Sequence, residues 1–472
     1  MEDEKRRIDK VDRISSLPES LLQHIMSYLP FKQVVQTSLV SNEWRQAWLT
    51  FPVLEFDEFN LPDEFNSPRV EKVMQIRPYW KQILQIRHTN MVGVREMTLK
   101  TFSRTGDSEL ADRCVFYAIE NNVKELVLQI EQIQFAWLNN QTQWYNLPPV
   151  VLCSKSIEVL KLEGCKLELP RSDLKLSLRK LYLYNVYADD QVINNVLLGC
   201  GLLEELEVAQ CQGFKSLKLL GLAKLRDIRL QNRGVLKQLE IDTLNGNSAL
   251  SICGVMPYKF DVCAALNLSE AHLGFYSYKI RHIFMDSQNI EPEWYVKYVE
   301  LLAKFRQCSQ VLNLNSQCWE HVHFPGELRQ VLTPPLSGVK HINFTADLLK
   351  LNKYALARVV DFLLWISPHA ETICLEYHDD KEFRFQFSYK QPPVYEGEIA
   401  RCCKFVPVVL CWEHCIEKVD IEITSTYIEK YNAARQIRRS KEVKRCVFEG
   451  ENILEKIDGL AVSKLSNITE YE

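Results

Sequence analysis

The first candidates for chemistry in this sequence form a group of possible metal ligands near its C-terminal end: Cys402, Cys403, Cys411, His414 and Cys415. Structural zinc sites usually take ligands in Cys-x-x-Cys pairs, whereas the successive steps here are 1, 8, 3 and 1 residues. In an apolar, strand-like stretch such thiols behave as small hydrophobic side chains, so buried thiols are the preferred interpretation. A second pair, His321 and His323, could offer two ligands from one strand face. The sequence supplies no third ligand, and a surface pair is favoured.

Motifs that carry catalysis are missing from the sequence. It contains no Gly-rich phosphate-binding loop, no Gly-x-Ser-x-Gly turn and no His-Glu-x-x-His helix. We therefore predict a non-enzymatic protein without catalytic, cofactor-binding or metal-binding residues.

Two further stretches could bind a partner, and each also has a simpler interpretation. The first stretch is a run of basic residues that also contains Glu429 and Glu442. It could bind a phosphate group or an acidic protein, but it is better explained as the solvated side of a helix. The basic residues are Arg435, Arg438, Arg439, Lys441, Lys444 and Arg445. Four aromatic residues alternate along a predicted strand, where they could anchor a partner or pack against a neighbouring repeat: Phe383, Phe385, Phe387 and Tyr389.

Length and charge limit the class of protein. With 472 residues the chain should form two or three structural units. The net charge of −4 argues against broad electrostatic binding to nucleic acid or to an anionic membrane. Residues 1–10 carry no apolar run and predict a solvated, flexible tail instead of a signal peptide, and no later stretch is long enough to span a bilayer. Because no signal peptide is predicted, we expect a reducing compartment, the cytoplasm or the nucleus, and the odd number of fifteen cysteines could not all pair within the chain.

The elements with the strongest pattern are three short helices predicted over residues 14–49. Ser16 and Glu19 have the spacing of a capping box at the start of the first helix. Pro30 ends that helix and starts a second one, Phe31 to Val40. Ser41 should cap a third helix, which places Trp44 and Trp48 on one face.

About forty residues cannot bury this much apolar surface by themselves, so part of it should face another protein. The order Leu-Pro-x-x-Leu-Leu-x-x-Ile-Met-x-x-Leu-Pro, followed by Val-Ser-Asn-Glu-Trp-Arg, resembles an F-box. The alternative is a helical cap whose apolar residues fill only their own core. The resemblance implies docking on the small adaptor of SCF-type ubiquitin ligases through Leu17, Pro18, Leu21, Ile25, Leu29, Val40 and Trp44. Gln33 and Asn42 depart from the acidic and basic residues that are common at their positions in the family.

A short pattern, apolar-x-x-apolar-x-apolar, repeats from about residue 90 and predicts strands with one apolar face. Its clearest copies have central residues Leu160, Leu181, Leu206 and Ile228, at steps of 21, 25 and 22 residues. Further copies are centred on Met97, Leu126, Leu239, Ile342 and Ile373, and weaker ones lie at Leu266 and Leu312. Between the strands, residues 189–206 have the periodicity of a returning helix. The step from 228 to 239 is only 11 residues, so a bare loop is expected there.

These steps lie within the roughly 20–29-residue period of leucine-rich repeats, which the chain resembles. One strand and one helix cannot bury their own apolar faces, whereas stacked copies can, and they form a solenoid with a long exposed strand surface. A generic mixed sheet is the alternative. The predicted fold is therefore α/β: a three-helix F-box, an irregular leucine-rich-repeat solenoid with parallel strands on its concave face, and a C-terminal strand–helix–strand cap.

Two regions frame the predicted solenoid. Residues 51–90 should form a short strand and a helix interrupted at Pro78, an order that resembles plant F-box/leucine-rich-repeat proteins and implies a rigid connection. The solenoid is followed by a polar stretch with a loop at Pro392-Pro393. The pattern then predicts a strand near Val419, a helix over residues 427–439 and a strand near Cys446, an order that resembles the FBD region of plant F-box proteins. The predicted boundaries are 1–10 tail, 11–50 F-box, 51–90 connection, 91–380 solenoid and 381–472 FBD-like region.

The resemblance implies a substrate-recruiting subunit of an SCF-type ubiquitin ligase. Its partners would be the adaptor, through it cullin and RING subunits, and a protein substrate of unknown identity, with no cofactor, nucleic acid or membrane. A scaffold that binds the adaptor without cullin-dependent ubiquitination is the alternative function. The plant hormone receptors with this architecture hold a polyphosphate, and no clear cluster of inward basic residues for one is visible here, so hormone binding is disfavoured.

Overall fold

The computed structural model describes residues 14–60, 69–89, 93–103, 108–132, 144–169, 174–232, 236–242, 248–262, 268, 270–276, 291–306, 311–316, 324–329, 331–346, 355–377, 381–390, 415–430, 437–449, 453, 456 and 457. They form two compact units. The first comprises residues 1–204 and 211–214, and the second comprises residues 205–210 and 215–472.

The first unit begins with the three predicted helices, α1 (Glu19–Met26), α2 (Phe31–Thr37) and α3 (Asn42–Leu49). The Ser41 hydroxyl accepts a hydrogen bond from the Trp44 amide at 3.4 Å, which confirms the predicted cap of α3. The predicted capping box is wrong, because Pro18 occupies the N-cap position of α1 and no side chain caps that helix. The predicted end of the second helix is also wrong, since α2 stops at Thr37 and leaves Val40 in a turn.

Parallel strands of the same unit form a sheet in the order β1-β2-β3-β5-β7. Their apolar positions align in one buried row, Leu54, Met97, Leu126, Leu160 and Leu181, which confirms the repeat pattern. The sheet strands are β1 (Val53–Asp57), β2 (Glu96–Ser103), β3 (Glu125–Gln132), β5 (Val159–Glu163) and β7 (Lys180–Tyr184). A second, two-stranded sheet consists of β4 (Tyr145–Asn146) and β6 (Cys165–Lys166).

Three longer helices and a 3-10 helix complete the first unit. They are α4 (Arg69–Thr89), α5 (Glu109–Glu120), Pro149–Cys153 and α6 (Asp190–Gly199). Helix α6 is the predicted returning helix. Helix α4 runs through Pro78, so the predicted interruption is wrong. Side chains on both sides of the proline hold α4 against the sheet, with Arg77 paired to Glu58 and Trp80 stacked on Phe56.

The second unit contains two sheets of parallel strands. One includes β8 (Glu205–Ala209), β10 (Asp227–Asn232), β12 (Ala249–Val255), β14 (Glu270–Tyr276), β15 (Leu312–Ser316), β16 (His341–Ala346) and β17 (Thr372–Tyr377). The other contains β9 (Ser216–Leu219), β11 (Gln238–Ile241) and β13 (Lys259–Val262). The copy centred on Leu239 is therefore not a further strand of the main sheet but part of the second one. Of the connection expected as a bare loop, residues 236 and 237 are described, and they form neither helix nor strand. The step of 11 residues is short because each turn here contains two strands.

The described helices of the second unit are α7 (Pro292–Ala303), α8 (Gly326–Arg329) and α9 (Ala355–Ile366). The main sheet ends with antiparallel β18 (Lys381–Tyr389), β19 (Ile416–Lys430) and β20 (Ile437–Glu449). The strands near Val419 and Cys446 are confirmed. The helix predicted over residues 427–439 is wrong: cross-strand pairing continues from Lys418 opposite Glu449 to Lys430 opposite Ile437.

The alternating aromatic residues of β18 belong to the core. Phe385 and Phe387 are buried, and the Tyr389 hydroxyl donates a hydrogen bond to the Ala370 carbonyl, so packing explains this pattern. Several predictions lie outside the described residues: the tail, the copy at Leu266, the Pro392-Pro393 loop and the histidine pair at 321 and 323. Among the helices that the structure describes, none is long and apolar enough to cross a membrane.

Candidate functional site: the surface of the N-terminal helices

The three N-terminal helices enclose a small core of their own. Leu22, Met26, Val34, Trp44, Ala47 and Phe51 form the buried cluster. Gln23 fastens α1 to the end of α3, because its amide donates hydrogen bonds to the Thr50 hydroxyl at 2.9 Å and to the Ala47 carbonyl at 3.3 Å. The helices therefore have an internal core, and the apolar residues outside it are surplus.

The structure separates the predicted adaptor residues into three groups by burial. Pro18, Leu21 and Val40 are exposed, with 47% of Leu21 and 62% of Val40 accessible. Leu17, Ile25 and Leu29 are half-buried and pack against the edge of the core cluster. Trp44 is only 6% exposed and lies inside the cluster.

Sequence reasoning missed three exposed apolar residues on these helices. Leu39 is 87% exposed, Tyr28 is 76% exposed, and Ile14 is also exposed. Because α2 ends early, the Val40 amide bonds back to the Thr37 carbonyl at 2.9 Å, and a turn presents Leu39 and Val40 together. An apolar pair directly before the Ser41 cap was the available signal in the sequence.

A buried arginine ties these helices to the first repeats. Arg87, near the C-terminal end of α4, is 1% exposed and donates hydrogen bonds to the Phe51 carbonyl and, at 3.5 Å, to the Trp48 carbonyl. Trp48 lies in the last turn of α3 and Phe51 just beyond it, at the helix end where carbonyls lack i→i+4 partners. Burial lowers the pKa of Arg87, partly offset by nearby Tyr117. This guanidinium therefore supplies hydrogen bonds to the C-terminal end of α3.

A second buried contact holds the other part of α4. Glu58 is fully buried and accepts hydrogen bonds from Arg77 Nε at 2.7 Å, from the Thr101 hydroxyl at 2.7 Å and from the Phe102 amide at 3.0 Å. Arg77 also donates to the Phe102 carbonyl at 2.9 Å. Helix α4 is thus fixed at one position to β1 and β2 and at another to the N-terminal helices.

The strand face of the first unit carries polar residues between the buried rows. Lys161 pairs with Glu125 at 2.8 Å and lies over the Tyr182 ring, and Glu158 pairs with Lys124 at 2.8 Å. The predicted inward residues Ile157 and Leu160 are buried. Exposed positions on neighbouring strands are therefore linked by ion pairs across the sheet.

Within the part of the chain that the structure describes, no group of His, Cys, Asp and Glu residues could hold a metal ion. Of the cysteine and histidine group near the C-terminal end, only Cys415 is described, and it is a buried, free thiol. Burial raises the pKa of the Cys165 thiol and raises that of Cys200 to about 12. These thiols are packing residues, which for Cys415 is what the sequence predicted.

Two family models match the chain. The model described as "F-box domain" matches residues 14–56, and the model described as "At1g61320/AtMIF1, LRR domain" matches residues 83–292. The N-terminal helices and the repeated strands are thus an F-box domain and a leucine-rich-repeat domain.

Curated proteins of Arabidopsis thaliana are similar to part of this chain. The putative F-box/LRR-repeat protein At3g18150 is 27% identical over 48% of the chain and 44% of its own length. The F-box/FBD/LRR-repeat protein At2g04230 is 30% identical over 42% of each. The FBD-associated F-box protein At3g52670 is 28% identical over 52% of the chain and 57% of its own length. The chain spans about half the length of these relatives.

Proposed function

We propose that this chain, which combines an F-box domain with a leucine-rich-repeat domain, is a substrate-recruiting subunit of an SCF-type ubiquitin ligase. The observation that carries the proposal is the apolar surface left over outside the F-box core, above all at Leu21, Leu39 and Val40. Several exposed apolar side chains on a small domain that already has its own core are what a protein interface requires, and the F-box family model matches these helices. We assign this surface to the adaptor.

The predicted adaptor residues have two roles in this proposal. Pro18, Leu21 and Val40 contact the adaptor directly, with the edges of Leu17, Ile25 and Leu29 beside them. Trp44 supports the arrangement from inside the core. No residue of this chain transfers ubiquitin. Its contribution is position, because a substrate held at a fixed reach from the conjugating enzyme reacts at a raised effective concentration.

The buried contacts of helix α4 suit a protein that positions its substrate. Arg87 and Arg77 join the F-box to the first repeats through buried hydrogen bonds, so a substrate bound by the repeats of the first unit would keep its distance from the adaptor. The substrate, a protein, is assigned to the exposed strand surface. An adaptor-binding scaffold without a cullin remains the second candidate function, favoured by the same apolar surface.

Reconstitution with purified adaptor, cullin and RING subunits tests the proposal. We expect the wild-type chain to bring down the adaptor and cullin together, and the double variant Leu17→Ala, Pro18→Ala to lose both. The exposed Lys32→Ala is the matched control and should bind as the wild type does. Equal capture by all three proteins contradicts the adaptor assignment, and capture of adaptor without cullin supports the scaffold.

A further inference from the structure

A polar pocket lies at the antiparallel end of the second unit. It has a volume of about 320 Å³ and is lined by Arg384, Gln386, Asp420, Glu422 and Arg445. The strand register brings them together, because Arg384, Glu422 and Arg445 are direct cross-strand neighbours and Gln386 lies opposite Asp420. The other face of β18 and β19 is buried at Phe385, Val419 and Ile421, so these two strands give the pocket a rigid floor.

One carboxylate of the pocket, that of Asp420, takes no part in the ion pairs of its neighbours. Arg445 contacts Glu422 Oε2 through Nη2 at 2.9 Å and through Nε at 3.0 Å. Arg384 contacts Glu382 at 3.4 Å. Among the described residues, Asp420 has no ion-pair or hydrogen-bond partner, and neither does the Gln386 side chain. Both arginines are therefore occupied, while a carboxylate and an amide at directly opposed positions are available.

We propose that this pocket is a subsite for a basic side chain, arginine or lysine, of a protein substrate. The ligand cation pairs with the Asp420 carboxylate and donates a further hydrogen bond to the Gln386 amide oxygen, with an apolar stem over the strands. A guanidinium suits the site well, because its planar fork can donate to two acceptors at once. The substrate role of the site rests on the function proposed above, whereas the cation site itself does not.

Polar amides on the neighbouring strands support an extended ligand. Asn343 Nδ2 donates to Asn313 Oδ1 at 2.8 Å, and Asn313 Nδ2 donates to Glu270 at 3.2 Å. Asn343 lies opposite Cys374, which lies opposite Arg384, so these amides and the pocket share one exposed row. A peptide that crosses these strands meets hydrogen-bonding groups first and the cation site next.

The experiment selects ligands from a randomised octapeptide library on the full chain, without adaptor. We expect the selected peptides to share an arginine or a lysine. Replacing that arginine with neutral citrulline, or that lysine with acetyl-lysine, should weaken binding at least tenfold in fluorescence polarisation. Asp420→Asn should weaken the cationic peptide by a similar factor and leave the neutral peptide unchanged. Glu417→Gln, an exposed carboxylate on the same strand outside the pocket, is the matched control.

Three results would overturn the subsite: no peptide is selected, the selected peptides lack a shared basic residue, or Asp420→Asn binds them as the wild type does. The adaptor pull-down reports separately on the proposed function. A chain that captures adaptor and cullin but fails the peptide experiment loses only the subsite. A chain that selects basic peptides but captures no adaptor keeps the subsite and loses the ligase role.

Discussion

Replacing Arg87 should loosen the connection between the F-box and the repeats. Arg87→Met keeps most of the apolar stem but removes the donors to the Phe51 and Trp48 carbonyls. A buried acceptor left without a partner costs about 1–3 kcal/mol, and the variant no longer buries a guanidinium without a carboxylate, which offsets part of that cost. Because of this offset, we expect the free energy of unfolding to fall by about 1–2 kcal/mol for Arg87→Met and by about 3–5 kcal/mol for Arg87→Ala, which also leaves a cavity.

Chemical denaturation measures these losses, and hydrogen exchange locates them. In Arg87→Met, amides of α1 to α3 should exchange faster than in the wild type, while those of β3 to β7 stay protected. Arg95→Met is the matched control, because that side chain is 65% exposed and pairs with Glu96 at the surface; its loss should stay below about 0.5 kcal/mol. An unchanged stability of Arg87→Met, or an equal loss in Arg95→Met, would refute the reasoning.

Other consequences follow from burial. Leu160→Ala should lower the free energy of unfolding by about 2–5 kcal/mol, whereas Leu198→Ala, at an exposed site, should change it little; equal losses in urea denaturation would mean that the strand register is wrong. At pH 8 a maleimide should label exposed Cys153 rapidly and Cys165 only after unfolding, because burial raises the pKa of the Cys165 thiol and suppresses the reactive thiolate; equal labelling measured by mass spectrometry would contradict this. Deleting the chain from residue 405 removes β19 and β20 and leaves β18 as an unpaired edge, so the truncated protein should aggregate; a soluble monomer in size-exclusion chromatography would make the segment a separate domain.

The sequence correctly predicted the elements that are specified by the spacing of apolar residues close together in the chain. The spacing of Ile157, Leu160 and Leu162 was sufficient to place a strand and its buried face, because one face of a parallel sheet packs on the core throughout. The apolar spacing of residues 189–206 likewise predicted α6. In both cases the residues that decide the structure are neighbours in the sequence.

Predictions failed where distant contacts decide the structure. Residues 427–439 have helical periodicity, yet residues 427–430 form strand pairs with residues 437–440, seven to thirteen residues away in the sequence. The copy at Leu239 matched the repeat pattern, but its place in a second sheet depends on β9 and β13. Arg87 gave no signal in the sequence, because only the fold brings its guanidinium to the end of α3.

Isothermal titration of the full chain with purified adaptor tests the central claim most directly. The measured variant is Leu39→Ser with Val40→Ser, which removes exposed apolar surface from the F-box without entering its core. Phe116→Ser, a half-exposed aromatic residue on α5, controls for a general loss of apolar surface. Our account predicts tight binding by the wild type and the control, and at least tenfold weaker binding by the double variant. Unchanged affinity of the double variant, or no adaptor binding by the wild type, would contradict it.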